Sequence, residues 1–277
     1  MQEYIKTDRQ LHWLSQLIAK ANRTYVPEKK DDSHTNLYYD PLSDRITGRW
    51  IESPEGMILF TFNLKTMQFE WLDRQFRLLV SIPALNRSAG DLEKETGDYL
   101  KSIGMETENF FRELRFQIPD YKIEKLSDDD ISGRGFDHWK YYRDLANQAC
   151  HSIMGYFQLF TEIRIWPHHF DTGIYLEVNR NLGIGFGLAM KDEMVGQPYF
   201  YIAGYSGEDP LIYDHLPALP SGNWITGSQW KGAVLPLSDV PFPDSDQANK
   251  TLRQFILKTS LWYSGSIVGY KGGKDFI

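Results

Sequence analysis

Apolar positions recur at helical spacing near the start of the chain, give way to alternation from about residue 36, and run through the same two patterns again in the second half. Thr7-Asp-Arg-Gln10 reads as a capping box, followed by Leu11, Leu14, Leu17, Ile18 and Ala21 on one helical face. His12 falls opposite that face, which predicts a solvated ring. Short runs rich in aromatic and β-branched residues then cover 36–40, 45–51, 56–64, 67–72 and 76–82, mostly separated by turn-formers. Ile58, Phe60, Phe62 and Leu64 alternate with Leu59, Thr61 and Asn63, which predicts a sheet with one face on a core. Connections this short imply antiparallel pairing.

Ser88-Ala-Gly-Asp91 opens the next helix, with Leu92, Tyr99, Leu100 and Ile103 inward and Gly104 as its stop. Residues 124–135, holding Asp128-Asp-Asp130 and two glycines, read as an acidic linker. A long helix is expected over 137–162, its stripe formed by Trp139, Tyr142, Ala146, Ala149, Cys150, Ile153, Phe157 and Phe160. Cys150 lies within that stripe and reads as a core residue, while His151 projects away from it. Strands return over 170–178, 182–190, 198–205 and 230–235, with a loop-rich insertion over 206–229. A last helix over 245–263 and a fraying tail at 269–273 complete the pattern.

These elements predict an α+β fold of antiparallel sheets with packed helices, in one globular unit over 1–277. Both halves, 7–123 and 132–265, follow a helix–strands–helix order, with residues 124–135 joining them. His34 and His169, Asn36 and Asp171, Arg45 and Arg180, and Gly48 and Gly183 are each 135 residues apart, as a duplication would place them.

Composition narrows the function. The aromatic share is 14%, enough to fill cores and also to line clefts for sugars or flat ligands. A net charge of −7 disfavours nucleic acid and anionic lipid as partners. One cysteine excludes an intrachain disulfide and a Cys-based zinc cage. The first residues lack the charged-then-apolar layout of a signal peptide, and no apolar run is long enough to cross a bilayer; the cytoplasm is the expected location.

The chemistry-bearing stretch is Trp166-Pro-His-His-Phe-Asp171. If 168–173 is extended, His169 and Asp171 share one face and His168 the other. His169 and Asp171 then suit a metal-ligand pair, or a base with its orienting carboxylate, with His168 and His34 as further catalytic candidates. Convergence of His34, His169 and Asp171 would suit Zn, Fe or Mn. The same pair also serves to satisfy buried polar groups at a strand end. For ligand binding the candidates are Tyr199, Tyr201, Trp224, Trp230 and His138, the last at the start of the long helix and the edge of its stripe. Gly183, Gly185 and Gly187 share one face of their strand, where Tyr199 and Tyr201 are expected to cover them.

Leu11-His12 with Ser15-Gln16 and Lys20, His34, Ile118-Pro-Asp120, His138 with Tyr142, His169-Phe-Asp171, Pro198-Tyr-Phe-Tyr201 and Ala233-Val-Leu-Pro236 occur in an order that resembles an uncharacterised bacterial domain-of-unknown-function family. The resemblance implies a soluble bacterial protein and carries no activity, cofactor or catalytic residue. Three functions therefore stand side by side. One is a small-molecule enzyme, hydrolase-like, with its His/Asp site at the helix–strand junction. Another is a non-catalytic binder of a carbohydrate or other small molecule in an aromatic cleft. The third is an oligomeric structural protein without a ligand.

Overall fold

The computed structural model describes residues 1–206 and 210–265, so the tail at 269–273 lies outside the described residues. The fold is α+β, with helices against two antiparallel sheets of five and six strands. The chain divides into two compact units, 1–144 with 164–172, and 145–163 with 173 onward.

In the first unit, α1 (Gln2–Tyr25) is followed by β1 (Tyr38–Asp40), β2 (Arg45–Ser53), β3 (Gly56–Asn63), β4 (Gln68–Asp73), β5 (Leu78–Pro83) and α2 (Ala89–Ser102). The strands are neighbours in sequence order, as short connections require. Helix α1 starts five residues before the expected Thr7 cap. Tyr4 extends the inward face by one turn, fully buried and edge-on to Tyr142 at 5.4 Å, so Thr7 becomes a helix-interior residue. Helix α2 begins as expected: Ser88 accepts from the Asp91 amide and the Asp91 carboxylate accepts from the Ser88 amide.

Strand β3 is buried on both faces, not on one. Phe60 stacks on Phe69 and Trp71 at 5.5 and 4.3 Å on the apolar side. The polar side is buried because its groups satisfy each other. Asn63 donates to Glu70 at 2.9 Å, and Arg45 pairs with the same carboxylate at 2.8 Å.

Gly48 marks where α1 meets the sheet. A Cβ there would lie 2.6 Å from Asn22 Oδ1, 2.8 Å from Ile18 Cγ2 and 3.2 Å from the Phe60 carbonyl. Gly48→Ala is therefore expected to lose about 1–3 kcal/mol by overpacking, measured by urea unfolding. A loss under about 0.5 kcal/mol would mean that the helix yields without cost.

Residues 124–135, expected to join two halves, lie inside the first unit and include the turn Asp128–Asp130, boxed by Ser127. Helix α3 (Gly133–Phe157) starts earlier than expected and stops at Gln158, whose φ of 54° is left-handed. Phe160 consequently falls beyond the helix and is exposed. Cys150 is buried, and burial pushes its thiol up, which fits a core residue.

After the two-residue β6 (Arg164–Ile165), the second unit holds β7 (Thr172–Asn179), β8 (Leu182–Ala189), β9 (Tyr199–Tyr205), β10 (Asn223–Thr226), β11 (Lys231–Pro236) and α4 (Ser245–Gly265). The sheet order is β10-β11-β9-β8-β7-β6. The expected loop region hides β10. Two half-exposed tyrosines cover the glycine face: a Cβ on Gly183 would strike Tyr175, and one on Gly185 would meet Tyr205 at 3.0 Å. At Gly183 and Gly185 the face is packed as predicted, though by Tyr175 and Tyr205 where Tyr199 and Tyr201 were expected. Among the described residues no helix is long and apolar enough to cross a membrane.

Candidate functional site

The two adjacent histidines sit on a turn, not on a strand. Trp166 O accepts from Phe170 N at 2.6 Å and His169 N at 3.3 Å, while Trp166 N donates to Asp171 O at 3.1 Å. Pro167 fixes one φ of the turn, and Phe170 closes it at a left-handed φ of 59°. The cause is the Phe170 ring, which is fully buried, stacked on His12 at 5.1 Å and covered by the Arg143 guanidinium at 4.9 Å. The expected alternation over 168–171 is therefore lost. His168 and His169 lie side by side, ring centroids 4.4 Å apart, instead of on opposite faces. His169 is exposed, His168 is partly buried, and Asp171 is partly buried where its charge acts on Arg143.

Helix α1 clamps this turn. His12 Nε2 and Gln16 Nε2 both donate to the Pro167 carbonyl at 2.9 Å. His12 Nδ1 must then accept, and it takes the Tyr121 hydroxyl at 2.7 Å. His12 is only 1% exposed, which corrects the solvated ring expected from the sequence. The irregular segment bearing Tyr121 and the turn at Pro167 cover the side of α1 that periodicity assigns to solvent. Burial holds its imidazole down at about 4; Arg143, His169 and His168 add to the shift, and the Pro167 hydrogen bond opposes it.

Three stretches of the first unit and Arg23 of α1 enclose a cavity of about 260 Å³. Residues 31–36 contribute Asp31, Asp32, Thr35 and Asn36; residues 114–116 contribute Leu114, Arg115 and Phe116; the turn contributes Trp166 and His168. Each wall has its own anchor. Asn22 Nδ2 donates to the carbonyls of Thr35 and Asn36 at 3.3 and 3.0 Å, while its Oδ1 accepts from Arg49 N at 2.9 Å. Arg23 donates to the carbonyls of Asn109, Arg112 and Glu113 at 2.8–2.9 Å and so holds the stretch leading to Phe116.

Two features give the cavity chemistry. His168 is held below the ordinary histidine value by burial and by His169, with the Asp32 carboxylate pulling the other way. Its ring lies 5.6 Å from that of Phe116. Asn36 is 3% exposed, and its amide nitrogen has no partner. Leaving a buried donor unsatisfied costs about 1–3 kcal/mol.

The other sequence candidates lie elsewhere. His34 is buried in the turn Ser33–Thr35, where its Nδ1 accepts from Lys29 N at 3.2 Å; it is not among the cavity's lining residues. His169, its partner at the 135-residue offset, has exposed surroundings instead. Among the described residues no three His, Cys, Asp or Glu side chains gather as a metal set, so the convergence of His34, His169 and Asp171 expected for Zn, Fe or Mn does not occur. Buried His34 and the outward turn of His169 prevent it. His138 is partly buried on α3 and is held down by burial, then by the chain's amino terminus and Arg134.

The four aromatic candidates do not form one cleft. Strand alternation sends Trp224 and its neighbour Ile225 to opposite sides of β10. Trp224 packs 4.9 Å from Trp262 and donates to Pro217 O at 2.9 Å. Tyr201, Trp230 and Ile225 pack instead against Tyr199, Ala189 and Val234, and the Tyr199 hydroxyl donates to Asp192 at 2.6 Å.

Sequence reasoning missed Trp166, Phe116 and Arg115 as cavity residues, Asn36 as a lone donor, and His12 and Arg143 as buried supports. Arg143 left a readable signal: it falls four residues after Trp139 and three before Ala146, inside the apolar stripe. Searches of family models, curated proteins and solved structures find no match to this chain.

Proposed function

We propose that the chain is a small-molecule enzyme of hydrolase-like type, with its site in the cavity beside the 166–170 turn and His168 as the acid–base group. The observation that carries this reading is that His168 and Asp32 line the same cavity. Aromatic walls with a few convergent polar groups are the usual makeup of a small-molecule site. An imidazole held below its ordinary value is unprotonated at neutral pH, as a general base must be. Asp32 supports it by favouring the imidazolium that forms when it takes a proton.

Hydrolysis of p-nitrophenyl acetate tests the reading. Loss of a general base typically costs 10²–10⁴-fold, so His168→Ala should lower kcat/KM at least tenfold while the melting temperature stays within a few degrees. His169→Ala should change the rate far less than His168→Ala and act mainly by moving the pH midpoint upward, because His169 lies outside the cavity lining but helps to depress His168. In the unmodified chain the rate should rise with pH and reach half its maximum below pH 6.5, following the depressed His168. Equal rates for His168→Ala and the parent would exclude catalysis there and leave the cavity a binding site only.

A further inference from the structure

We infer that the chain pairs with a second copy of itself through one face of the five-stranded sheet, around Trp50, Phe76, Leu78 and Leu79. Helices α1 and α2 occupy the other face, where Ile18 comes against Gly48 and Tyr99 lies 5.8 Å from Trp71. On the outer face Trp50, Leu59, Leu72 and Leu78 stand opposite one another across β2, β3, β4 and β5. The two middle leucines are buried, but Trp50 and Leu78 at the ends are exposed. A bulge adds Leu79 to the same face, because it separates Leu78 from Val80, which opposes Trp71 on the helix side. Phe76 closes the β4–β5 turn and sets its ring edge-on to Trp50 at 5.7 Å.

The turn itself does not call for a ring. Its geometry comes from Asp73, whose carboxylate accepts from the amides of Gln75 and Arg77 at 2.8 and 2.9 Å and whose carbonyl accepts from Phe76 N at 2.9 Å. Phe76 holds a left-handed φ of 59°, which glycine or asparagine adopts with less strain. Burial does not offset that strain, since the side chain is two-thirds exposed, whereas a contact outside the chain would. The four apolar side chains are 38–67% exposed, which at roughly 200 Å² per full side chain leaves about 400 Å² of apolar surface. Standard interfaces bury about 800 Å² per partner, so this patch forms the apolar centre of one and a polar rim the remainder.

The rim selects a second copy. Glu52 follows Trp50 by two residues on the same face of β2, and Arg74 opens the β4–β5 turn; both are exposed. The two charges therefore flank the patch on opposite sides at one end of the sheet. A two-fold axis along the strands lays β2 of each copy over β5 of the other. Trp50 then meets Leu78 and Leu79 of the second copy, and Glu52 comes near its Arg74. Apolar surface covers apolar surface and both charges find opposite partners, the self-complementarity that an isologous contact needs.

Sedimentation equilibrium of the full chain over about 1–200 µM tests the proposal. The average mass should climb from one chain to two and stop there. Phe76→Gly removes the ring while suiting the left-handed turn, so it should weaken the dimer at least tenfold with the melting temperature unchanged or higher. Leu78→Glu should weaken it as much from the other side of the patch. Glu52→Arg and Arg74→Glu should each weaken pairing, and the double variant should restore it. A single-chain mass at every concentration, or a dimer indifferent to Phe76→Gly and Leu78→Glu, would overturn the proposal. Charge variants without effect, or a double variant that regains nothing, would overturn the two-fold arrangement.

Discussion

Arg143→Leu is expected to cost about 3–5 kcal/mol of folding stability, the range for removing one member of a buried ion pair. Arg143 and Asp8 are 0% and 1% exposed, joined at 2.7 Å. The same guanidinium donates to the Phe170 carbonyl at 2.8 Å and to Thr172 Oγ1 at 2.7 Å, and lies 5.1 Å from the Trp139 ring. Leucine fills part of the space but strands a carboxylate, a carbonyl and a hydroxyl. Burial already raises the Asp8 carboxyl, and Arg143 and Trp139 only partly offset it, so the carboxylate left behind has little to stabilise it. Trp139 Nε1 keeps one bond to Asp8 Oδ1 at 2.9 Å, but Asp8 Oδ2 has no partner even in the intact protein.

The double variant Asp8→Leu/Arg143→Leu separates charge from packing. With neither charge present, much of the loss should return, because a buried pair replaced by apolar residues is often close to neutral. Urea unfolding of the two single variants and the double completes the cycle. A single-variant loss below about 1 kcal/mol would mean that water reaches Asp8 and that the cluster is not dry.

The turn depends on this cluster, and so does the placement of His168. Phe170 holds its left-handed backbone because His12, Trp139 and Arg143 surround its ring. That conformation turns His168 toward the cavity. The same residues explain what the sequence conceals. Period-two alternation locates β2 to β5 well because each strand is short and its neighbours pair in order. It cannot register that Phe170 has a positive φ, since a buried ring sets that backbone from outside the segment. The His-x-Asp spacing therefore suggested a shared strand face where the chain turns.

Helical periodicity fails at His12 for a related reason. It assumes one buried face, but α1 is covered also by the turn at Pro167 and by Tyr121, from a segment without regular structure. Asn36 was visible only as a possible counterpart of Asp171. Its importance lies in the absence of a partner, which depends on distances between chain segments that spacing does not encode. The aromatic candidates were separable in principle. Trp224 and Trp230 belong to a hairpin whose first strand the sequence left as loop, so its alternation could not be applied.

The second large effect is expected in acid. His12 titrates at about 4 in the folded chain against an ordinary value of 6.5, so between these values the unfolded chain binds the proton and the folded chain does not. Stability then rises with pH across the window. The contribution is complete above about 6.5 and is lost as pH falls toward 4, amounting to about 3 kcal/mol. Tyr121 stays a donor throughout, since burial raises its hydroxyl to about 12, and a protonated His12 would bring two donors face to face. Arg143, His169 and His168 press on the same ring, and the depressed His168 adds a slope of the same sign. The comparison with His12→Gln isolates the His12 share. The amide keeps a donor for Pro167 and does not titrate, so it should lower stability at pH 7 and flatten the decline from pH 6.5 to 4. Urea midpoints at pH 7, 6, 5 and 4 measure both curves, and parallel curves would show that solvent reaches His12 and that its clamp on the turn is not buried.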